Sequence, residues 1–387
     1  MKKTTFFTHF KRTAAFAAGV TLVLCLAGAF VSCSSVGTTD DSVGITSDPG
    51  IFCEKVEGIP SGFYFGADVS SVLALEKSGV VFKDKNGNPQ DIFKTLKQNG
   101  VNCVRLRVWN NPYDDNGNGF GGGNNDIATD IEIAKRAKAQ GIDVYLDFHY
   151  SDFWADPSKQ AAPRAWKGLS IDDKATALYE YTVESLKAVK KAGITPAILQ
   201  IGNETTGTFC GENNWIQITK LFTAASKAMR EVFPKAKIAV HFTNPEKTGE
   251  YNRYAMILNR YKVDYDIFAS SYYPYWHGTL ENLTSELKNI KDTFGKDVMC
   301  AETSYIYTYE NADMTGNTIS EETVCDKPYP ATVQGQANEV RDVIDTVVKA
   351  GGIGVFYWEP AWIGVPGNTY EEQFALWEKY GSGWASS

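Results

Sequence analysis

Eight times along this chain an apolar run of strand length is followed by a helical pattern, and that alternation restricts the fold more than any other feature. The runs are residues 63–70, 101–109, 142–150, 197–204, 237–242, 266–273, 297–303 and 352–358. Most show no sustained polar alternation, so they read as parallel strands covered on both faces. Between them lie amphipathic stretches such as DIFKTLKQNG (91–100), ATDIEIAKRAKAQG (128–141) and TALYEYTVESLKAVKKAG (176–193), each stopped by a glycine. Strand and helix repeated in this way, with no second core, predict an α/β fold: a single (β/α)8 TIM barrel. Barrels of this kind exceed roughly 250 residues as one unit, so the 387-residue length demands no second domain. The chain ends soon after the last run, which leaves EEQFALWEKYG (371–381) as the candidate closing helix.

The connections are unequal. Long segments rich in Gly, Asn and aromatic residues follow the second, third and seventh runs, at 110–125, 151–166 and 305–330. The turns leading back into strands are short. Long βα loops put the working face at the C-terminal ends of the strands. Two runs, AILQIGNET (197–205) and DVMCAETSY (297–305), each end there in one carboxylate, Glu204 and Glu302. A single such Glu could merely open a loop or cap a helix. Two at matching tips, with Asn203 before one and aromatics after the other, point to chemistry.

Two carboxyl groups across a barrel mouth suit glycoside hydrolysis, in which one donates a proton to the leaving oxygen and the other meets the anomeric carbon. Asn203-Glu204 fits the acid/base and Glu302 the nucleophile. Close carboxylates repel, so one stays protonated at neutral pH. Arg105 or Arg107 would hold Glu302 ionised, while His149 and the Tyr272-Tyr273 pair end other strands. The 9 Trp, 20 Tyr and 21 Phe suggest a cleft lined with flat rings. Trp109, Trp154, Trp166, Trp276, Trp358 and Trp362 lie at or beyond strand tips; Trp358 and at least two others are expected to be sugar platforms. The bland alternatives are structural pairing for the arginines, a structural hydrogen bond for His149 and core packing for the rings.

The N-terminus reads differently. Lys2, Lys3, Lys11 and Arg12 precede an apolar run from Ala14 to Val31, the layout of an export signal over residues 1–32. It resembles a bacterial lipoprotein signal with Cys33 as the lipidated residue, although Phe30 departs from the usual aliphatic; cleavage after Ala29 to a secreted product is the alternative. Residues 33–60 form a small, polar, acidic tether, and 61–387 the catalytic domain. The expected location is the outer membrane or cell surface, with membrane contact only through the lipid. Seven cysteines include Cys25 and Cys33 in the leader and Cys103 and Cys300 in strands; one disulfide is expected among Cys53, Cys210 and Cys325. No cysteine spacing suggests zinc. A net charge of −8 argues against nucleic acid as a partner.

Seven stretches resemble glycoside hydrolase family 53, the endo-β-1,4-galactanases of the clan A barrels. They are GADVSSV (66–72), NGVNCVRLRVWNNP (99–112), YLDFHYSDFWADPSKQ (145–160), IGNET (201–205), SYYPYW (271–276), CAETSY (300–305) and FYWEPAW (356–362). The resemblance implies a retaining mechanism on β-1,4-galactan of type I arabinogalactan, with Glu204 as acid/base and Glu302 as nucleophile. It implies that Arg105, His149, Asn203 and Trp358 line the site of the cleaved sugar, with Asp68 near it; Tyr272, Trp276 and Trp109 complete the expected substrate-binding set. No cofactor is expected for the chemistry. A structural calcium is implied in the loop after the seventh run, at Asn311, Asp313 and Asn317, where an amide and Thr315 replace the family's usual carboxylate and His. The expected partner is the polysaccharide itself, met by a monomer. Rival readings are another clan A glycanase, such as a mannanase or endoglucanase, and a surface glycan-binding protein without turnover.

Overall fold

The computed structural model describes residues 50–311 and 316–382. The leader, Cys33 and most of the tether therefore lie outside the described residues, as does Asp313. Eight strands close into a barrel in chain order: β1 Tyr64–Asp68, β2 Cys103–Val108, β3 Asp143–Phe148, β4 Ile198–Ile201, β5 Lys237–Phe242, β6 Ile267–Ser271, β7 Asp297–Thr303 and β8 Gly354–Tyr357. Each neighbouring pair is parallel, including β8 with β1. Helices α1 Val72–Lys77 and α2 Ile92–Gln98 follow β1, and α3 Ile127–Ala139 follows β2. The others are α4 Ile171–Lys191, α5 Trp215–Val232, α6 Glu250–Arg260, α7 Leu280–Phe294, α8 Val333–Lys349 and α9 Tyr370–Tyr380. The closing helix anticipated at 371–381 is α9. Thr369 starts it, accepting from the Glu372 N–H while the Glu372 carboxylate accepts from the Thr369 N–H.

Side-chain parity organises everything above. Val104, Leu106 and Val108 of β2 point outward into the layer beneath the helices, whereas Cys103 points into the lumen. Arg105 and Arg107 share the parity of Cys103 and climb the lumen toward the mouth. On β3 the inward set is Tyr145, Asp147 and then His149 beyond the strand. The lower lumen is filled by Cys103, Tyr145, Ile198, Ala239, Ile267, Ala269, Met299, Ala301 and Phe356, so the barrel is plugged below and polar above. Gly66 of β1 makes room for this plug. A Cβ there would stand 2.0 Å from the Phe356 ring.

The five described cysteines are all free, so the disulfide expected among Cys53, Cys210 and Cys325 does not form. Cys210 is buried in the layer behind β4, while Cys325 packs on the aromatic group around Tyr275 and Tyr305. Separate packing clusters keep these thiols apart.

Candidate active site

The polar half of the lumen is built around one guanidinium. Arg105, 1% exposed, donates from Nη1 to Glu302 Oε1 at 2.7 Å and to Asp68 Oδ2 at 3.3 Å. Its Nη2 donates to Asp147 Oδ2 at 2.7 Å and to Asn203 Oδ1 at 2.8 Å. A planar fork with fixed donors can tie four strands together in this way; a lysine could not. Arg107, left open in the sequence as the alternative partner of Glu302, pairs instead with Glu359 and donates to the Gly122 carbonyl at 2.5 Å.

Glu302 reaches the lumen through an irregularity. Met299 and Ala301 already face inward, so strict alternation would turn Glu302 outward. The β6–β7 register shifts here, with Ser270 opposite Cys300 and Ser271 opposite Glu302. This bulge re-aims the carboxylate into the mouth. Besides Arg105, the Tyr273 hydroxyl donates to Glu302 Oε2 at 3.1 Å.

Glu204 arrives differently. β4 stops at Ile201, three residues earlier than the apolar run suggested, because Gly202 and Glu204 have left-handed backbones with φ of 72° and 46°. A non-glycine residue in that region carries backbone strain. Among the described residues its carboxyl meets no guanidinium within hydrogen-bond reach; Oε1 accepts from the Ser271 hydroxyl at 2.6 Å.

Glu204 and Glu302 line the same cleft, about 290 Å3 in volume, together with Asp68, Arg105, His149, Asn203, Trp276 and Trp358. Asn203 donates from Nδ2 to the Ala155 carbonyl, which fixes its oxygen toward Arg105. His149 Nδ1 accepts from the Trp109 indole N–H and the Ala155 amide, both at 3.1 Å. Both partners are obligate donors, so the ring proton sits on Nε2 and points at Asp147 Oδ2, 3.1 Å away.

Two expected substrate contacts are corrected. Tyr272 has the parity of Phe268 and Ser270; it packs outward in the core, and its hydroxyl donates to the Gly278 carbonyl. Tyr273, one residue on, lines the cleft. Counting in twos from the inward Ile267 and Ala269 reaches Tyr273, a signal present in the sequence. Trp109 is fully buried and supports His149 from behind instead of facing a sugar. Of the six candidate tryptophans, Trp154, Trp276 and Trp358 line the cleft, whereas Trp109, Trp166 and Trp362 are buried. Arg107 lies 4.4 Å above the Trp154 ring, and Gly122 lets its backbone approach Trp109 and Trp154 closely. The loop after β7 supplies the other wall through Ile306, Thr308, Asn317 and Ile319. Glu359, Asp147, Gln200, His241 and Ser271 join the site with no direct signal in the sequence to single them out.

Two guanidiniums face five carboxyl groups here: Asp68, Asp147, Glu204, Glu302 and Glu359. Such an excess of buried acid cannot all ionise. Burial, and then the charge of Glu302, push Glu204 up to about 8. Burial likewise raises Glu359 to about 7 despite Arg107. Burial raises Glu302 as well, but there the Arg105 guanidinium is the strongest opposing influence. The proton at neutral pH therefore belongs on Glu204.

Of the expected calcium ligands, Asn311 is exposed and Asn317 donates from Nδ2 to the carbonyls of Tyr309 and Glu310. Among the described residues no group of three or more His, Cys, Asp or Glu converges as a metal site.

A parallel barrel that gathers an acid kept protonated, a second carboxylate clamped by arginine and a wall of indoles at its C-terminal mouth is built to cleave glycosidic bonds, so the molecule is a glycoside hydrolase. The family model for glycosyl hydrolase family 53 matches residues 64–387, and the chain belongs to that family. It is 58% identical over 342 residues to the endo-β-1,4-galactanase of Bacillus subtilis strain 168, spanning 87% of this chain and 79% of that one. The arabinogalactan endo-β-1,4-galactanase of Cellvibrio japonicus is 33% identical over 334 residues, 82% of this chain and 85% of its own. The solved family 53 catalytic domain from Ignisphaera aggregans superposes with a TM-score of 0.79 at 36% identity, covering 86% of this chain and 92% of that one.

Proposed function

We propose that this protein is a retaining endo-hydrolase of β-1,4-galactosidic bonds in galactan and type I arabinogalactan. The observation that carries the reading is the unequal treatment of two carboxyls in one cleft: Arg105 and Tyr273 hold Glu302, and the Ser271 hydroxyl holds Glu204. The likeness to the Bacillus subtilis galactanase supports the substrate. In the first step Glu302 attacks the anomeric carbon while Glu204 gives its proton to the departing glycosidic oxygen. In the second, ionised Glu204 takes a proton from water, whose oxygen displaces Glu302 from the anomeric carbon. Two inversions return the β-configuration. Trp154, Trp276 and Trp358 offer faces for galactose rings, and Asp68, His149 and Asn203 line the polar floor.

Digestion of purified β-1,4-galactan beside a panel of mannan, cellulose and xylan tests the substrate. Galactan should fall early to mid-sized oligosaccharides; preferential cleavage of another glycan would overturn the assignment. Proton NMR of the first product should show the β-anomer, and early α-product would mean an inverting reaction.

The leader supports export as a surface lipoprotein through Cys33. Radiolabelled palmitate should enter the wild type but not Cys33→Ser, and equal labelling would sink that anchor. Of Asn311, Asp313 and Asn317 a single side chain brings charge, which makes them a weak donor set for a hard cation.

A further inference from the structure

The Glu204 carboxyl rests on the Ser271 hydroxyl with that of Thr243 nearby, and each hydroxyl is backed by a buried histidine. Ser271, the last residue of β6, donates to Glu204 Oε1 at 2.6 Å. Behind it stands His241 of β5, whose Nε2 lies 2.9 Å from Ser271 Oγ. The Thr243 hydroxyl, just past β5, is a second hydroxyl group near the carboxyl that favours its ionised form. Behind that stands His277, with Nε2 at 3.3 Å from Thr243 Oγ1. All four residues are at least nine-tenths buried.

The hydrogens in this arrangement have definite places. The Tyr273 amide donates to His277 Nδ1 at 3.0 Å, so His277 carries its proton on Nε2, toward Thr243. His241 Nδ1 accepts from the Glu204 backbone amide at 3.3 Å and lies 2.9 Å from the Asn203 oxygen, while both hydrogens of the neighbouring Gln200 amide go to Asp147 and the Gly202 carbonyl. A backbone amide can only donate, so its hydrogen occupies Nδ1 and leaves the His241 proton on Nε2, toward Ser271. A hydroxyl that accepts from a histidine must spend its single hydrogen elsewhere, and for Ser271 that direction is Glu204. Both histidines are kept neutral by burial, which pushes His277 down to about 4 and His241 well below the usual range. They therefore orient the hydroxyls without adding charge.

We propose that Ser271 and Thr243, each aimed by a buried neutral histidine, are positioning residues that hold Glu204 as the base of the second step and leave its other oxygen, Oε2, to carry the proton in the first. The inference rests on the assignment of Glu204 as acid/base. Hydroxyl donors favour the ionised carboxylate and so work against its burial. The other groups facing Glu204 are Glu302 on β7, Arg105 on β2 and the Tyr273 hydroxyl beyond β6; only Arg105 also favours ionisation. Removing the hydroxyls therefore destabilises the base form more than the acid form.

The experiment uses the full-length enzyme with two substrates, galactan and an aryl β-galactobioside with a good leaving group, which needs little acid help. On the aryl substrate Ser271→Ala should lower kcat roughly tenfold, the size expected for one lost hydrogen bond to a charged group, with a burst of aryl release. The value of kcat/KM on the same substrate should move far less. On galactan the alkaline limb of kcat/KM should shift to higher pH, because Glu204 then holds its proton longer. Thr243→Val should act in the same sense more weakly, and Ser271→Thr should restore both readouts. A merely structural role would lower kcat and kcat/KM together and leave the limb in place, which would overturn the proposal. Azide rescue of Glu204→Ala separates the two layers. Failure of rescue removes the parent assignment; rescue with an unmoved limb in Ser271→Ala removes only this one.

Discussion

The tips of β4 and β7 carry the same residue type and treat it in opposite ways. At β7 the glutamate is still within the strand, brought inward by a register shift and gripped by a guanidinium and a phenol. At β4 the strand has already ended, a left-handed residue presents the carboxyl, and its contacts are uncharged hydroxyls. A cation in direct contact favours the charged form, and burial without one favours the protonated form. Identical side chains thus acquire different chemistry from their neighbours alone. The lesson extends to Arg105 and Arg107, two residues apart on β2, one of which grips Glu302 while the other braces the Trp154 wall.

The comparison is open to direct attack. Glu302→Gln removes the gripped carboxylate and should cost about 10^4-fold or more in kcat on galactan; retention of full activity would mean that β7 does not supply the nucleophile. Glu204→Ala should cost roughly 10^2- to 10^4-fold on galactan, with azide restoring turnover of an activated aryl glycoside as the β-galactosyl azide. The same treatment of the β7 variant should give the opposite anomer if it gives any. Activity should also fall as pH rises through about 8, where Glu204 loses its proton; a rate still rising above that pH would contradict the division between the tips. Tyr273→Phe removes one donor from Glu302 and should lower kcat/KM on galactan by about tenfold. An unchanged value would leave Arg105 as the sole effective grip.

The smallest expected effect lies behind β7. Glu339 on α8 is buried and accepts from the Thr303 hydroxyl at 2.9 Å, and its Oε2 has no hydrogen-bond partner among the described residues. Burial pushes it up from 4.5 to about 8. The folded state therefore holds a proton that the unfolded chain releases, so stability declines as pH rises across that interval. Glu339→Gln cannot ionise and should lose less Tm than the wild type between about pH 5 and about pH 8, by a few degrees on a calorimetric scan. Equal losses would show that this carboxyl does not contribute to the slope.

The eight apolar runs and their glycine-stopped helices determined the barrel and its working face, because strand and helix periodicity are local properties that long-range packing did not override. The same pattern placed Glu204 and Glu302 at strand tips, and the shared parity of Arg105 and Arg107 was visible as well. Tertiary structure decided which parity faces the lumen, and so replaced Tyr272 with Tyr273 and moved Trp109 into the core. It decided which arginine meets Glu302, kept the thiols of Cys53, Cys210 and Cys325 unpaired, and inserted the bulge without which Glu302 would point at the helices. Ser271, His241 and Glu359 acquire meaning only from neighbours on other strands. A side chain's direction follows from its own backbone, but its charge state and partners are set by atoms that the fold brings from elsewhere in the chain.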